Sequence, residues 1–345
     1  MAAAYPSSSN VYIPSFEASG QLVVSFSRNP KDFALNQYVT IVPVKKGSGY
    51  YLRLTAEQAA RIVNAAGSEF VWPDGSDEPT GEWNLESHEF VKFETMRRAY
   101  PFRIGYKAVD QADWKLLAQH AAIVAQQAMT LRSLLVVTAL ETSANYATGH
   151  TSLATALCGG FLNTGTPSDP RLKKALTAAA QVIHKDTMGT VKPRDLQVVI
   201  GPGLADALGR SQEVHAYLKE SPVALAQVRG DNPSQNGIWG LPDQLYGFPI
   251  RVEDAVRNTV KKGATATLGY IKSENSLALV ARPGALTGIE GSPSFSFIHI
   301  HSYEEMSVES KDDPDNRRHK GRVVDDYSVD VVAPVAGYFI SAALS

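Results

Sequence analysis

Cys158 is the only cysteine in the 345-residue chain, and it sits in Ala-Leu-Cys-Gly-Gly with no histidine close in sequence. A cysteine nucleophile needs a base or cation beside it to form the thiolate, so this one reads as a small buried hydrophobe. His299 and His301 are two apart in an alternating segment, which puts both rings on one strand face where they could share a metal. No third ligand falls at a zinc-type spacing, so the pair reads as a solvated strand face. His184-Lys185-Asp186 closes a helical pattern, where cations complement the helix dipole. Gly201-Pro202-Gly203 stands between a strand and a helix, as a phosphate loop would. It lacks GxGxxG and a Lys-Ser/Thr pair, and its proline removes an N–H donor that such a loop needs. Neither GxSxG nor HExxH occurs, and Arg229-Gly230-Asp231 is too short a match to an adhesion tripeptide to mean anything. The expectation is therefore no catalytic, cofactor-binding or metal residue and no cofactor. Such a chain works through its surfaces and is not an enzyme.

One constellation is suited to surface work. Trp72, Trp83, Tyr100, Phe102 and Tyr106 are interleaved with Arg97, Arg98, Arg103 and Lys107. Aromatics with cations could form a platform for single-stranded nucleic acid. The same cations could instead dock on Asp74, Asp77, Glu78 and Glu82 of a neighbouring copy, and the near-neutral net charge of −2 favours docking. It also argues against a general nucleic-acid surface. The 44% hydrophobic, 20% charged composition is that of an ordinary folded protein. A single cysteine excludes an internal disulfide framework and fits a reducing compartment. The first residues lack a basic segment followed by an apolar one, so secretion is not expected. No apolar run reaches the roughly 18 residues of a membrane span, so no membrane partner is expected.

The element that must position these residues is a long helix over 109–146. No glycine or proline occurs between Gly105 and Gly149. Trp114, Leu117, Ala121, Val124, Ala128, Leu131 and Leu135 recur at steps of three and four, the spacing of one helix face. Gln119, Gln126 and Ser133 fall on another face, and Asp110 and Asp113 would lie in the first turn. Some 33 helical residues make a rod of roughly 50 Å, suited to a strut in an extended subunit.

Before the helix, residues 1–37 read as an arm with a strand-like piece at Gln21–Phe26. Strand signals follow at Tyr38–Val44, Tyr50–Leu54, Glu89–Met96 and Tyr100–Tyr106, with a short helix at Thr55–Ala66. Together they form a two-stranded excursion with an acidic tip. After the long helix come a loop, a helix over Pro170–Thr187, a buried strand at Asp195–Ile200, and helical pieces at Leu204–Leu208, Val214–Lys219 and Pro222–Val228. Leu245–Val252 reads as one strand and Thr265–Ile271 with Ser276–Ala281 as a strand pair. Ser294–Ser302 and Val323–Val332 read as strands separated by a charged connection, Lys311–Arg322. Helices and strands do not alternate regularly, so the class is α+β.

This order resembles the major capsid proteins of tailed bacteriophages, the HK97-like fold, which encapsulin shells also use. FETMRRAYPFRIGYKAV leads into DQADWKLLAQHAA as the family's extended loop leads into its long helix. DLQVVIGPGLADAL resembles the opening of the axial domain, LYGFPIRVED its return strand, and DYSVDVVAPVAGYFISA the final peripheral strand. The resemblance implies an N-terminal arm over 1–37, an extended loop region over 38–107, and a peripheral domain with a spine helix over 108–190. It further implies an axial domain over 191–262 and peripheral return strands over 263–345. The implied function is self-assembly, through hexamers and pentamers, into an icosahedral phage head in the virion, built in the host cytoplasm around double-stranded DNA. The wall would touch that DNA without sequence preference. No long helical segment precedes the arm, so a separate scaffolding protein is expected, with a portal and a decoration protein as further partners. Some family members crosslink Lys to Asn between subunits, and no such pair is placed here. An encapsulin-type compartment and an α+β enzyme with an unrecognised site are the alternatives.

Overall fold

The computed structural model describes residues 30–53, 72–75, 89–112, 115–231, 236–260, 265, 267–284 and 295–345. The expected arm strand at 21–26 and helix at 55–66 lie outside these residues. A single 3-10 turn at Pro30–Asp32 leads into α1 (Leu35–Tyr38) and β1 (Thr40–Pro43). β2 (Ser48–Arg53), β3 (Glu89–Glu94) and β4 (Met96–Gly105) precede α2 (Tyr106–Asp110) and the long α3 (Leu116–Glu141). Next come β5 (Thr151–Leu153), α4 (Ala154–Cys158), α5 (Arg171–Asp186), β6 (Leu196–Ile200), α6 (Pro202–Gly209), α7 (Gln212–Glu220) and α8 (Pro222–Arg229). The chain ends through β7 (Gln244–Leu245), β8 (Phe248–Val252), β9 (Val256–Asn258), β10 (Leu268–Tyr270), β11 (Ser276–Ala281), β12 (Ile298–Asp313), β13 (Arg318–Val331) and β14 (Gly337–Ser341).

The fold is α+β. Its described strands form a four-stranded sheet, β1-β12-β13-β4, a six-stranded sheet, β5-β14-β11-β6-β8-β7, and two ribbons, β2–β3 and β9–β10. Central strands of the larger sheet are apolar on both faces because both faces are covered. Leu277, Leu279 and Ala281 of β11 join Leu196, Val198 and Ile200 of β6 in the core beneath α5 and α6. Ala278, Val280 and Val199 point the other way, into a second core with Met129, Val136, Val137 and Leu140 of α3. Further up α3, Val124 and Ala128 pack on Val323 of β13. One helix thus braces both sheets.

Several sequence expectations need correction. The long helix is interrupted: α2 ends at Asp110, and α3 begins at Leu116 and runs 26 residues, about 39 Å. It stops at Thr142, whose hydroxyl bonds the Thr138 carbonyl, a side-chain bond that competes with the helical ladder. Its buried face is turned by one residue, so Arg132 and Ser133 are buried while Leu131 and Leu135 are only half-buried. Leu245–Val252 is a hairpin, not one strand. Tyr246 and Gly247 both have positive φ, 53° and 86°, the conformation that reverses a two-residue turn. Ser276–Ala281 pairs with β14 and β6, whereas Leu268–Tyr270 pairs with β9. Lys311–Arg322 is paired strand around a turn at Pro314–Asn316. Cross-strand ion pairs sustain it: Arg322 with Glu309, and Arg318 and Lys320 with Asp313. Those two cations hold the Asp313 carboxyl well below the usual carboxylate range. Residues from 263 onward are divided between the two sheets, since β11 and β14 sit beside β6 while β12 and β13 sit beside β4. At the other end, Phe33, Leu35, Tyr38 and Val39 are buried in the core with α3, and the Tyr38 hydroxyl donates to buried Glu253 at 2.6 Å. The last residues of the expected arm are therefore part of the body.

Candidate assembly surfaces

The β2–β3 ribbon meets the body on one face and presents exposed apolar side chains on the other. Gly49 leaves room for the Phe93 ring, which an added Cβ would approach to 2.8 Å. Phe93 in turn stacks on His301, with ring centroids 4.5 Å apart and 14° between planes. Tyr51 lies against the same imidazole at 5.4 Å and donates to the Val331 carbonyl at 3.4 Å. Burial pushes its phenol up to about 12, with the Asp330 carboxylate adding to the effect. The Thr95 N–H closes the base on the Gly47 carbonyl at 2.7 Å. On the far face Tyr50 is 71% exposed, Phe90 62% and Leu52 46%, with Leu52 paired directly to Phe90. A two-stranded ribbon is marginal alone, so this face gains from further cover.

His299 and His301 do share a face, but both are buried rather than solvated. His301 bonds Asp330 at 2.8 Å, and the Ser328 hydroxyl donates to the same carboxylate at 2.6 Å. Among the described residues no group of three His, Cys, Asp or Glu is placed to hold a metal ion. His301 instead forms the seat of the ribbon. Alternation marked the face, but only the fold shows what covers it.

The basic residues of β4 are engaged within their own chain. Arg97 faces Asp326 at 3.4 Å and Glu304 at 3.6 Å. Arg98 donates to the Tyr327 carbonyl at 2.9 Å and lies over the Tyr327 ring at 4.3 Å. Both arginines thus pair with β12 and β13 of their own chain. Arg103 stands beside Lys320, its partner in register, and Phe102 covers Gly321. Asp77, Glu78, Glu82 and Trp83 lie outside the described residues.

The remaining candidates have structural roles. Cys158 donates to the Ala154 and Gly160 carbonyls, and burial pushes its thiol up. An added Cβ at Gly201 would meet the Ser273 carbonyl at 2.9 Å, and Gly203 abuts the Glu274 side chain. A phosphate would meet a filled space and a carboxylate there. His184 faces the Val191 carbonyl at 3.0 Å. Gly230 of Arg-Gly-Asp is the left-handed cap of α8.

No protein-family profile matches this sequence, and no curated protein matches it. Solved structures do. A phage-related protein from Bordetella bronchiseptica RB50 superposes with a TM-score of 0.60 at 15% identity, over 92% of this chain and 93% of that one. A chain from the capsid of cyanophage P-SCSP1u gives 0.55 at 11% identity, over 97% and 94%. One from Mycobacterium phage Bobi gives 0.54 at 10% identity, over 97% and 96%. This chain has the HK97-like fold.

Three buried polar contacts hold the HK97-like fold together here, and no sequence pattern marks them. In the first, Arg132 of α3 bonds Asp325 of β13 at 2.5 Å. Lys272 donates to Glu141 at 2.9 Å and to Ser276 at 2.7 Å, tying the end of α3 to β11. Burial pulls that ammonium below its usual range, against the pull of Glu141. His150, fully buried, faces the Gly337 carbonyl and Asp186, each at 2.8 Å. By length and apolar composition α3 could cross a membrane. Half of that stretch is instead buried in the protein, with Arg132 paired at its centre. Of these residues only Arg132 is a lone charge in a largely apolar stretch, the one signal that could have found it.

Proposed function

We propose that this chain is the major capsid protein of a tailed bacteriophage, self-assembling into an icosahedral head around double-stranded DNA. The observation that carries this is the HK97-like fold over nearly the whole chain in likenesses that include the capsid of a cyanophage. Under this reading, 38–107 is the extended loop region, α3 the spine of a peripheral domain that takes in 108–190, and 191–262 an axial domain. The residues ahead of Phe33 would reach out as an arm, and 263–345 would supply return strands to both sheets. The β2–β3 face with Tyr50 and Leu52 would be covered by another copy, as would the outer edges of β1 and β4. Strand addition and apolar burial supply the attraction, and ring closure makes each later contact effectively intramolecular. Five- and six-fold rings require head-to-tail interfaces. The protein's role is structural rather than catalytic, in the virion after assembly in the host cytoplasm, with separate scaffolding, portal and decoration proteins as partners.

Electron microscopy and sedimentation of the purified protein, expressed with and without phage scaffolding, test this directly. Closed shells of megadalton mass are expected, and nucleic acid within particles from infected cells separates a phage head from a cargo compartment. A small oligomer under all conditions would overturn the proposal.

A further inference from the structure

Three cations stand in a row across the four-stranded sheet. Arg103 of β4 is opposite Lys320 of β13, and Lys320 is opposite Lys311 of β12. Residues paired in register share a sheet face, so these side chains rise next to one another from adjacent strands. Like charges placed directly opposite destabilise a sheet, so the row works against the fold unless something negative meets it. Lys320 has Asp313. Arg103 and Lys311 are exposed and have no carboxylate partner among the described residues. Two positions along each strand, Pro101, Arg322 and Glu309 form a second row on the same face, with Arg322 bonded to Glu309 at 2.5 Å.

Between the two rows runs a groove of about 420 Å³, floored by the backbone of Phe102, Gly321 and Ser310. Four cations and one carboxylate line it, a balance of +3 in a chain whose net charge is −2. We propose that this groove binds an acidic segment of a partner protein. Arg103 and Lys311 are two strands apart, about 10 Å. Alternate residues of an extended peptide lie about 7 Å apart, so two carboxylates at that spacing fall within reach of both long side chains. The Pro101 ring and the lysine stems offer apolar contact to the residues between them. Glu309 argues against a nucleic-acid strand, whose regular phosphates would meet its carboxylate, whereas a peptide can offer it an N–H. Nor does an aromatic ring face the groove for a base to stack on, since Phe102 covers Gly321 from the opposite face. The groove lies within one chain and stands whether or not that chain closes shells.

Fluorescence anisotropy of a labelled peptide, Gly-Glu-Ala-Glu-Ala-Glu-Gly, with the purified full chain at low salt tests the proposal. Wild-type protein should bind it, with affinity falling as salt is added. R103E/K311E should weaken binding at least about tenfold, because two attractions become repulsions. The same variant should bind the lysine counterpart, Gly-Lys-Ala-Lys-Ala-Lys-Gly, in its place. Lys219→Glu, at an exposed position on α7 outside the groove, should bind the acidic peptide as wild type does. No binding by wild type, or an equal loss in Lys219→Glu, would overturn the proposal. Oligothymidylate of equal charge that binds more tightly than the peptide, and is lost in R103E/K311E, would make the groove a phosphate site and overturn it too. A second measurement guards against misfolding. Arg103→Glu gives Lys320 an anionic neighbour, so the unassembled variant should melt at or above the wild-type temperature. A lower melting temperature would show that the row serves the fold and not a partner, and the proposal would fail.

Discussion

Arg132 and Asp325 form an ion pair at 2.5 Å with 6% and 0% of their surfaces exposed, joining the middle of α3 to the middle of β13. The Arg132 guanidinium also lies over the Tyr327 ring at 4.7 Å. Desolvation pushes the Asp325 carboxyl up while Arg132 and Arg98 oppose it, so the carboxylate depends on its cationic neighbours to stay charged.

Replacing only one partner should therefore cost far more than replacing both. Arg132→Met is expected to lose about 3–5 kcal/mol, because it strands a buried carboxylate. Arg132→Met with Asp325→Leu should recover most of that loss. Denaturant unfolding of the two variants decides it, and equal losses would refute a net desolvation penalty.

Arg98 should matter for the chain's own stability. Arg98→Ala removes a bond to the Tyr327 carbonyl and a cation–π contact, together worth about 1–3 kcal/mol. Hydrogen exchange should quicken along β4 and β13. A variant with wild-type exchange but weaker, salt-sensitive association would restore the idea that Arg98 docks on a neighbour.

Gly321 is needed because Phe102 crosses it. An added Cβ would lie 2.1 Å from the ring, so Gly321→Val forces the ring or the strand to move, at a cost of about 1–3 kcal/mol. Gly321→Val combined with Phe102→Ala should recover part of that cost in thermal unfolding, and strictly additive losses would argue against the contact.

The ribbon seat should respond to both mutation and alkali. Phe93→Ala removes a buried ring that stacks on His301, and it should speed proteolysis between residues 54 and 88 while costing about 3–5 kcal/mol. Tyr51 has a folded pKa near 12, above an ordinary tyrosine near 10. Its neutral form is favoured in the fold, so this stabilisation is complete below about pH 10 and is lost as pH rises towards 12. Ultraviolet titration should show one phenol fewer in that late range for Tyr51→Phe, and an unaltered titration curve would show that Tyr51 is not held in the seat.

The amino-acid order alone determined the elements whose signals are local. The 3.6-residue periodicity of α5, the apolar run of β6 and the short helices α7 and α8 depend on near neighbours and stand close to where the residues place them. The α+β class and the HK97-like order follow from their succession. Only the tertiary structure decided which strands pair, because a strand's hydrogen bonds go to whatever backbone the fold brings alongside. Thus β11 met β6 and β14 instead of β10. It also decided the fate of the charges. Arg97 and Arg132 look alike as sequence, yet one meets two carboxylates at a surface and the other lies buried against Asp325, 193 residues away. Coulombic partners are chosen by distance in space, and a sequence records only distance along the chain.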